Sequence, residues 1–281
     1  MARVSGWLTL LVAVALGGCD PAKELPTDLS KPDGPVAQPA VPMKSDPEAK
    51  VVIDKAVSAL TGGKPELLGR AKSSTCSLKG HMFFPDQPNQ SLEAARNMTA
   101  VWPDKFRFSN ETYPGGTKLV VESWLRRPDL VVHRNGIPDP FGNSPGAEQN
   151  LANDAIGQHW MPLVLPASDP KAVVFDLQTI TFEKRELNVL KLALGEFPVY
   201  ALTFDGKAGH LLRVEYASSE IGTSRRTTMV YSDHKPAPAG FVLPYTFECR
   251  HNGFVVEKWT VEKWDLPAEI KDSEFSPPKQ K

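Results

Sequence analysis

Hydrophobic residues follow two different periods along this chain, and the change of period separates its elements. From Glu48 onward, apolar residues recur at helical spacing up to Leu60, and the pair Gly62-Gly63 supplies a stop. After this helix the period becomes two, in short runs divided by residues that are typical of turns. The pattern therefore predicts one amphipathic helix followed by β-strands.

Five runs with a period of two come before residue 135 and predict an antiparallel meander. Pro103-Asp104 and Gly115-Gly116 separate neighbouring runs, and the last run ends at the turn Arg134-Asn135-Gly136. The predicted strands are 74–82, 96–102, 105–110, 118–125 and 129–133.

The segment 137–170 interrupts this alternation. Its first half is dominated by Gly, Pro and Asn, whereas residues 148–165 are apolar at roughly helical spacing. We expect a helix-containing insert that crosses one face of the sheet. Strand patterns then resume, and Asn252-Gly253 is the strongest short hairpin signal in the chain. The later predicted strands are 183–194, 199–204, 211–216, 225–231, 241–250 and 254–264.

Strands and helices do not alternate along the chain, so a parallel nucleotide-binding sheet is not expected. The fold predicted from the pattern is mainly β, of the α+β class. It has one antiparallel sheet of about 10–11 strands, an N-terminal helix and a helical insert.

The first nineteen residues indicate export. One Arg precedes an apolar stretch of about ten residues, which is too short for a membrane-spanning helix that needs about 20. Residues 1–18 are therefore predicted to be a signal peptide. The alternatives at its end are a plain cleavage site with an incidental Cys19 and a lipidation site.

The ending Leu16-Gly17-Gly18-Cys19 resembles a bacterial lipobox, in which the cysteine becomes lipidated and N-terminal. Two or more acyl chains, such as palmitate, on one cysteine give stable anchoring to a membrane. Asp20 next to the cysteine is similar to the pattern of lipoproteins that stay on the inner membrane. We expect an anchored protein of the bacterial cell envelope that faces the periplasm.

Residues 20–47 contain seven Pro and no aromatic residue. Such a segment does not bury enough apolar surface to order itself, and a Pro-rich linker of this length reaches at most about 90 Å. The expected organisation is a signal peptide (1–18), a lipidated cysteine with a disordered tether (19–47) and one folded domain (48–281).

The overall charge bears on whether the protein binds nucleic acid. The formal net charge of −1 shows no basic excess, so nucleic acid is not expected as a partner.

The chain has three cysteines. With Cys19 used for lipid, Cys76 and Cys249 remain, both on the apolar phase of predicted strands. In an oxidising compartment we expect them to form a disulfide, and two buried free thiols are the alternative.

Several stretches of the second half resemble the LolA/LolB-like lipoprotein-carrier superfamily. The sequence Asp205-Gly206-Lys207-Ala208-Gly209-His210-Leu211-Leu212-Arg213 is similar to that family's hairpin D-x-x-T/A-G-x-L-x-R. Tyr231-Ser232-Asp233 with Gly240-Phe241-Val242-Leu243-Pro244 is similar to its Y-S-D…G-x-x-L-P stretch, and residues 264–277 resemble its closing segment. The likeness covers roughly residues 48–278.

This resemblance implies a strongly curved, open β-barrel whose helices form a lid over an apolar cavity for acyl chains. An unclosed sheet with inward apolar alternation leaves a concave hydrophobic face, where apolar ligands bind. For each candidate residue the alternative is an ordinary place in the core. The residues predicted to line the cavity are Met82, Phe84, Trp102, Phe106, Phe108, Trp124 and Leu125, with Trp160, Met161 and Val164 from the insert.

Motifs of catalysis or metal binding are absent from the sequence. It has no Gly-x-Ser-x-Gly, His-Glu-x-x-His or Gly-x-x-x-x-Gly-Lys motif, and its six His are scattered. We therefore expect no enzyme, cofactor or metal, but a monomeric envelope lipoprotein that binds a lipid or a lipoprotein acyl chain. The alternatives are a module with a filled core that senses envelope stress or binds another envelope protein, and an envelope hydrolase.

Overall fold

The computed structural model describes residues 41–42, 44–84, 87–140, 142–143, 146–220 and 223–278. The predicted signal peptide, Cys19 and most of the expected tether lie outside these residues. The described strands are β1 (Ser73–Phe84), β2 (Gln87–Val101), β3 (Lys105–Thr112), β4 (Leu119–Arg126), β5 (Asp129–Arg134), β6 (Ile137–Pro138), β7 (Val173–Phe182), β8 (Arg185–Ala193), β9 (Tyr200–Asp205), β10 (Leu211–Glu220), β11 (Thr223–Pro236), β12 (Val242–His251) and β13 (Phe254–Asp265).

These strands form a single antiparallel sheet in the order β6-β5-β4-β3-β2-β1-β13-β12-β11-β10-β9-β8-β7. Strands that follow each other in sequence pair, except β6 and β7, and the pairing of β1 with β13 joins the two halves of the chain. The sheet is curved, and β6 and β7 form its two edges, so it is not closed. The prediction of a mainly β fold with one open antiparallel sheet is therefore confirmed.

The sheet has 13 strands where the sequence predicted about 10–11. The missed strand β7 is joined to β8 by Glu183 and Lys184, which have φ angles of 46° and 67°. Positive φ at a hairpin turn normally requires Gly or Asn, so this turn carries no recognisable signal in the sequence. The other missed strand, β6, has only two residues.

Helix α1 (Pro47–Leu60) begins at Asp46, whose side chain accepts a hydrogen bond of 2.9 Å from the backbone N–H of Glu48. Pro47 occupies the first helical position, where its missing N–H is not needed. The helix buries one apolar face and contacts β7 and β12. It therefore covers part of the concave side of the second half of the sheet.

The segment between β6 and β7 also lies on the concave side. Helix α2 (Ala147–Ala155) continues into a wider turn over Ile156–Trp160 and a 3-10 turn over Met161–Leu163. We call residues 147–167 the insert. Every residue from 155 to 167 except Gln158 is buried. The insert is thus part of the core and fills space between the two halves of the sheet.

The expected disulfide between Cys76 and Cys249 is wrong, because both are buried free thiols. Cys76 on β1 lies opposite Trp264 of β13, whereas Cys249 on β12 lies opposite Glu257 of the same strand. With a rise of about 3.3 Å per residue, this offset along β13 separates the two cysteines by roughly 20 Å. A disulfide needs Cα atoms within about 7 Å.

Candidate functional site

The insert meets the concave face of the sheet through aromatic rings. The ring of Trp160 packs edge-on against Trp102, with centroids 5.2 Å apart, and lies 5.8 Å from Phe106. The ring of His159 lies 5.8 Å from Phe106 and 5.6 Å from Trp264. These rings come from both halves of the sheet, so the insert links the halves through one apolar cluster.

Hydrogen bonds from side chains of the sheet hold the insert in place. Among the described residues, no part of the insert pairs with a strand of the sheet. These side-chain bonds therefore attach it at separate points along its length. The bonds run from Tyr216 Oη to Asp154 Oδ1 (2.8 Å), from Tyr231 Oη to the carbonyl of Gly157, from Arg96 Nη1 to Gln158 Oε1 (3.1 Å), from Arg127 Nε to Glu148 Oε1 (2.7 Å) and from Arg127 Nη2 to Gln149 Oε1 (3.3 Å), and a sixth joins Ser74 Oγ and His159 Nε2 (2.9 Å).

Gly157 allows the insert to approach β10 closely. A Cβ atom at this position would lie 2.6 Å from the ring of Tyr216. Real side chains do not tolerate such a contact with a buried ring. The glycine is therefore required by the packing between the insert and the sheet.

Burial shifts the titration of two groups on the insert. Desolvation raises the pKa of Asp154 to about 6, although the hydrogen bond from Tyr216 opposes this effect. Desolvation also lowers the pKa of His159 to about 3, so its imidazole stays neutral at physiological pH. Asp154 is therefore the group on the insert whose charge changes near neutral pH.

Four buried polar atoms at or near the insert have no hydrogen-bond partner among the described residues. They are Nδ1 of His159, Nε1 of Trp160, Oγ of Ser168 and the hydroxyl of Tyr200. Each such atom costs about 1–3 kcal/mol relative to a solvated or bonded one. These unbonded atoms therefore make an unfavourable contribution to the free energy of the buried insert.

Eight of the ten residues predicted to line a cavity lie on or against the concave core. They are close to the insert or belong to it, so the structure brings them together as one surface. Fully buried are Phe106, Leu125, Trp160, Met161 and Val164, and partly buried against the same core are Met82, Trp102 and Phe108.

Trp124 and Phe84 do not belong to this surface. Trp124 directly precedes Leu125, and successive side chains of a strand point to opposite faces. The ring of Trp124 accordingly packs against His133, at 5.1 Å, and lies 5.9 Å from the guanidinium of Arg107. Phe84 ends β1 and is 43% exposed.

A buried ion pair on the concave face was not anticipated from the sequence. Nη1 and Nη2 of Arg96 each donate a hydrogen bond of 2.8 Å to the carboxylate of Glu257. The guanidinium lies 4.2 Å from the ring of Trp259 and 4.9 Å from that of Phe108. The available signal was the position of Arg96 on the inward phase of β2, between Ala94 and Met98.

An open surface cleft of about 530 Å³ lies at the β5–β6 hairpin and is lined by Arg134, Asn135, Ile137, Pro138, Asp139 and Pro140. Within the described part of the chain, no group of three or more His, Cys, Asp or Glu side chains is arranged to hold a metal ion. No helix among the described residues has the length and hydropathy needed to cross a membrane.

Comparison with models of protein families finds no match, and comparison with curated protein sequences finds none either. Among solved structures, the chain is similar to a LolA superfamily protein from Nitrosomonas europaea, with 12% identity, 81% of this chain and 97% of that chain covered, and a TM-score of 0.49. It is also similar to a DUF1329 family protein from Desulfovibrio piger, with 11% identity, coverage of 83% and 98%, and a TM-score of 0.47.

Proposed function

We propose that this protein is an envelope lipoprotein that holds the acyl chain of a lipid or of another lipoprotein on the concave face of its half-barrel. Cys19 carries the membrane anchor, residues 20–47 are the tether, and the domain binds without catalysing a reaction. The observation that carries the proposal is the insert: a short segment, attached at separate points, covers a large apolar face that the sheet itself leaves open.

The energetic terms allow an acyl chain to replace the insert. The insert buries six large apolar side chains, which contribute roughly 9–18 kcal/mol at about 1.5–3 kcal/mol each. An acyl chain of about 16 carbons contributes about 12 kcal/mol, at about 0.8 kcal/mol per methylene. Because the two terms are similar, an exchange is possible. The six side chains are Ile156, Trp160, Met161, Leu163, Val164 and Leu165.

The unpartnered polar atoms of the insert favour such an exchange. Nδ1 of His159 and Nε1 of Trp160 are buried without a hydrogen bond to any part of the chain that the structure describes. Both atoms would gain water as a partner when the insert moves outward. Solvation of these atoms therefore offsets part of the free energy lost with the hydrogen bonds between the insert and the sheet.

A fluorescent fatty acid, added in the absence of detergent, tests this proposal directly. We expect binding to the wild type, and binding several-fold tighter to Arg127→Ala. Arg127 contacts Glu148, Gln149 and Glu196. Its replacement by Ala removes the hydrogen bonds to Glu148 and Gln149, which attach the start of the insert. Arg126→Ala is the matched control, because Arg126 pairs with Asp272 and has no described bond to the insert.

Native mass spectrometry of gently purified protein should also show a co-purified lipid. A spectrum of lipid-free protein, together with no probe binding to either the wild type or Arg127→Ala, would overturn the acyl-binding function.

A second candidate function is an interaction module whose interior is filled by its own side chains. The buried insert favours it, as does a set of exposed apolar residues at turns and strand ends. Under this alternative, lipid binding fails and the exposed residues contact another envelope protein. Their exposed fractions are 43% for Phe84, 45% for Tyr113, 69% for Ile137 and 64% for Phe254.

A further inference from the structure

A hydrogen-bond donor and an acceptor without partners occur on neighbouring strands of the concave face. Nε of Arg96 and Oδ1 of Asn110 are both buried and form no hydrogen bond with any residue that the structure describes. Arg96 and Asn110 occupy directly paired positions of β2 and β3, so their side chains are on the same side of the sheet. Buried polar atoms are nearly always bonded, so these two atoms are available to a partner from outside the chain.

Both side chains are fixed by their other contacts. Two hydrogen bonds to Glu257 and the rings of Trp259 and Phe108 hold the guanidinium of Arg96. Nδ2 of Asn110 donates to Sδ of Met82 at 3.3 Å, which sets the direction of its Oδ1. Neither unpartnered atom can find a new partner without breaking these contacts.

The pair lies at the border between the core and the solvent. Arg96 is 4% exposed, the side chain of Glu257 is 14% exposed, and Met82 and Phe108 are half-buried. Gln158 of the insert accepts a hydrogen bond from Arg96 at 3.1 Å, so the pair lies directly beside the insert. A chain bound in place of the insert would bring its head group close to Arg96 and Asn110.

The two atoms define the chemistry of that head group. It must accept a hydrogen bond from Nε–H of Arg96 and donate one to Oδ1 of Asn110. A hydroxyl or an amide does both, whereas a simple ester only accepts.

A carboxylate also only accepts, and it would meet the charge of Glu257. Burial raises the pKa of Glu257, but the charge and hydrogen bonds of Arg96, with a bond from Trp259, hold it below its usual range. Glu257 is therefore ionised at neutral pH and already neutralises Arg96.

We propose that Arg96 and Asn110 form a head-group site that selects a neutral acyl lipid bearing both a donor and an acceptor, such as a glycerol hydroxyl or an amide. This inference rests on the proposed acyl-binding function and adds the class of ligand. Free fatty acids and simple esters bind on the same face, but more weakly.

Four ligands with one oleoyl chain test this selectivity: monooleoylglycerol, oleamide, methyl oleate and oleate. The protein is the full chain with Cys19→Ser, which carries no acyl group of its own, and affinity is measured by displacement of a fluorescent acyl probe. The glycerol and amide ligands should bind about 5-fold to 10-fold more tightly than the ester and the carboxylate, the effect of about one hydrogen bond. The first two ligands separate a hydroxyl head from an amide head.

Asn110→Leu should remove this preference. It should weaken monooleoylglycerol and oleamide about 5-fold to 10-fold and leave methyl oleate and oleate within about 2-fold. Thr112→Val is the matched control, since Thr112 is buried two residues further along β3 on the same face. Arg96→Lys keeps the charge beside Glu257 but loses Nε, and should act as Asn110→Leu does.

Oleate that binds as tightly as monooleoylglycerol would overturn the head-group site, as would an Asn110→Leu variant that weakens all four ligands equally. Neither result would contradict the proposal that the protein binds an acyl chain. Failure of all four ligands to bind the wild type would overturn the acyl-binding function together with this inference.

Discussion

The phenol of Tyr216 on β10 donates a hydrogen bond of 2.8 Å to Oδ1 of Asp154 on helix α2. This bond fastens the insert to the second half of the sheet at a carboxyl group that burial has made a weaker acid, with a pKa of about 6. One of the contacts that hold the insert therefore involves a group that titrates close to neutral pH.

Asp154→Asn should stabilise the protein in a pH-dependent way. The folded pKa of about 6 lies above the ordinary 3.8, so the stabilisation from protonation is complete below about pH 4 and lost as the pH rises through 6. Asn keeps an acceptor for Tyr216 without the charge. The gain in unfolding free energy over wild type should grow by roughly 2–3 kcal/mol between pH 4 and 7.5. Urea unfolding at several pH values measures it, and a gain that does not change with pH contradicts the assignment.

Gly157→Ala should loosen the insert. The added methyl group would lie 2.6 Å from the ring of Tyr216, and overpacking of this kind costs about 1–3 kcal/mol. Gly69→Ala is the control, because a Cβ at Gly69 meets nothing within 4 Å. Thermal unfolding should separate the two variants, and equal melting temperatures would show that the approach of the insert to β10 is not tight.

Arg96→Ala should destabilise the fold by about 3–5 kcal/mol, because Glu257 would remain as a buried charge without its partner. Replacing both residues, by Arg96→Met with Glu257→Leu, should recover most of this loss. Lys79→Ala breaks the pair of Lys79 and Glu262, whose side chains are 69% and 46% exposed, and should have little effect. Chemical unfolding checks all three variants. An Arg96→Ala protein as stable as Lys79→Ala would mean that the buried pair is not formed.

The full chain with Cys19→Ser should contain two free thiols and no disulfide. Cys76 and Cys249 are buried, and desolvation raises the pKa of each, so both should be unreactive in the folded protein and react after denaturation. Titration with a thiol reagent in denaturant, without a reducing agent, counts them. If no free thiol is found, Cys76 and Cys249 form a disulfide, and the register of β1, β12 and β13 is contradicted.

Wild-type protein produced in bacteria should incorporate labelled palmitate and partition into a detergent phase. Cys19→Ser should lose both properties, because the proposed acyl chains are attached at that residue. Cys76→Ser is the control and should keep the label. Equal labelling of Cys19→Ser and wild type would place the lipid elsewhere or exclude it.

Much of the fold could be predicted from the sequence, since alternation of apolar residues and turn chemistry act over short distances. Asn252-Gly253 marked the β12–β13 hairpin correctly. The β7–β8 hairpin was missed because Glu183 and Lys184 take positive φ without Gly or Asn. Trp124 was misplaced for a different reason: the apolar pair Trp124-Leu125 hides which residue faces inward, and only pairing with β3 decides it.

By itself, the sequence determined the class of fold, the order of its elements and the position of the insert, because these follow from local periodicity and turns. Its motifs also indicated the resemblance to lipoprotein carriers and the candidate anchor at Cys19. The tertiary structure decided which groups meet: that Cys76 and Cys249 lie far apart, that the insert fills the concave face, and that Arg96 is beside Asn110 and Glu257. Such contacts depend on strand register and sheet curvature, which join residues distant in the chain and leave no local pattern.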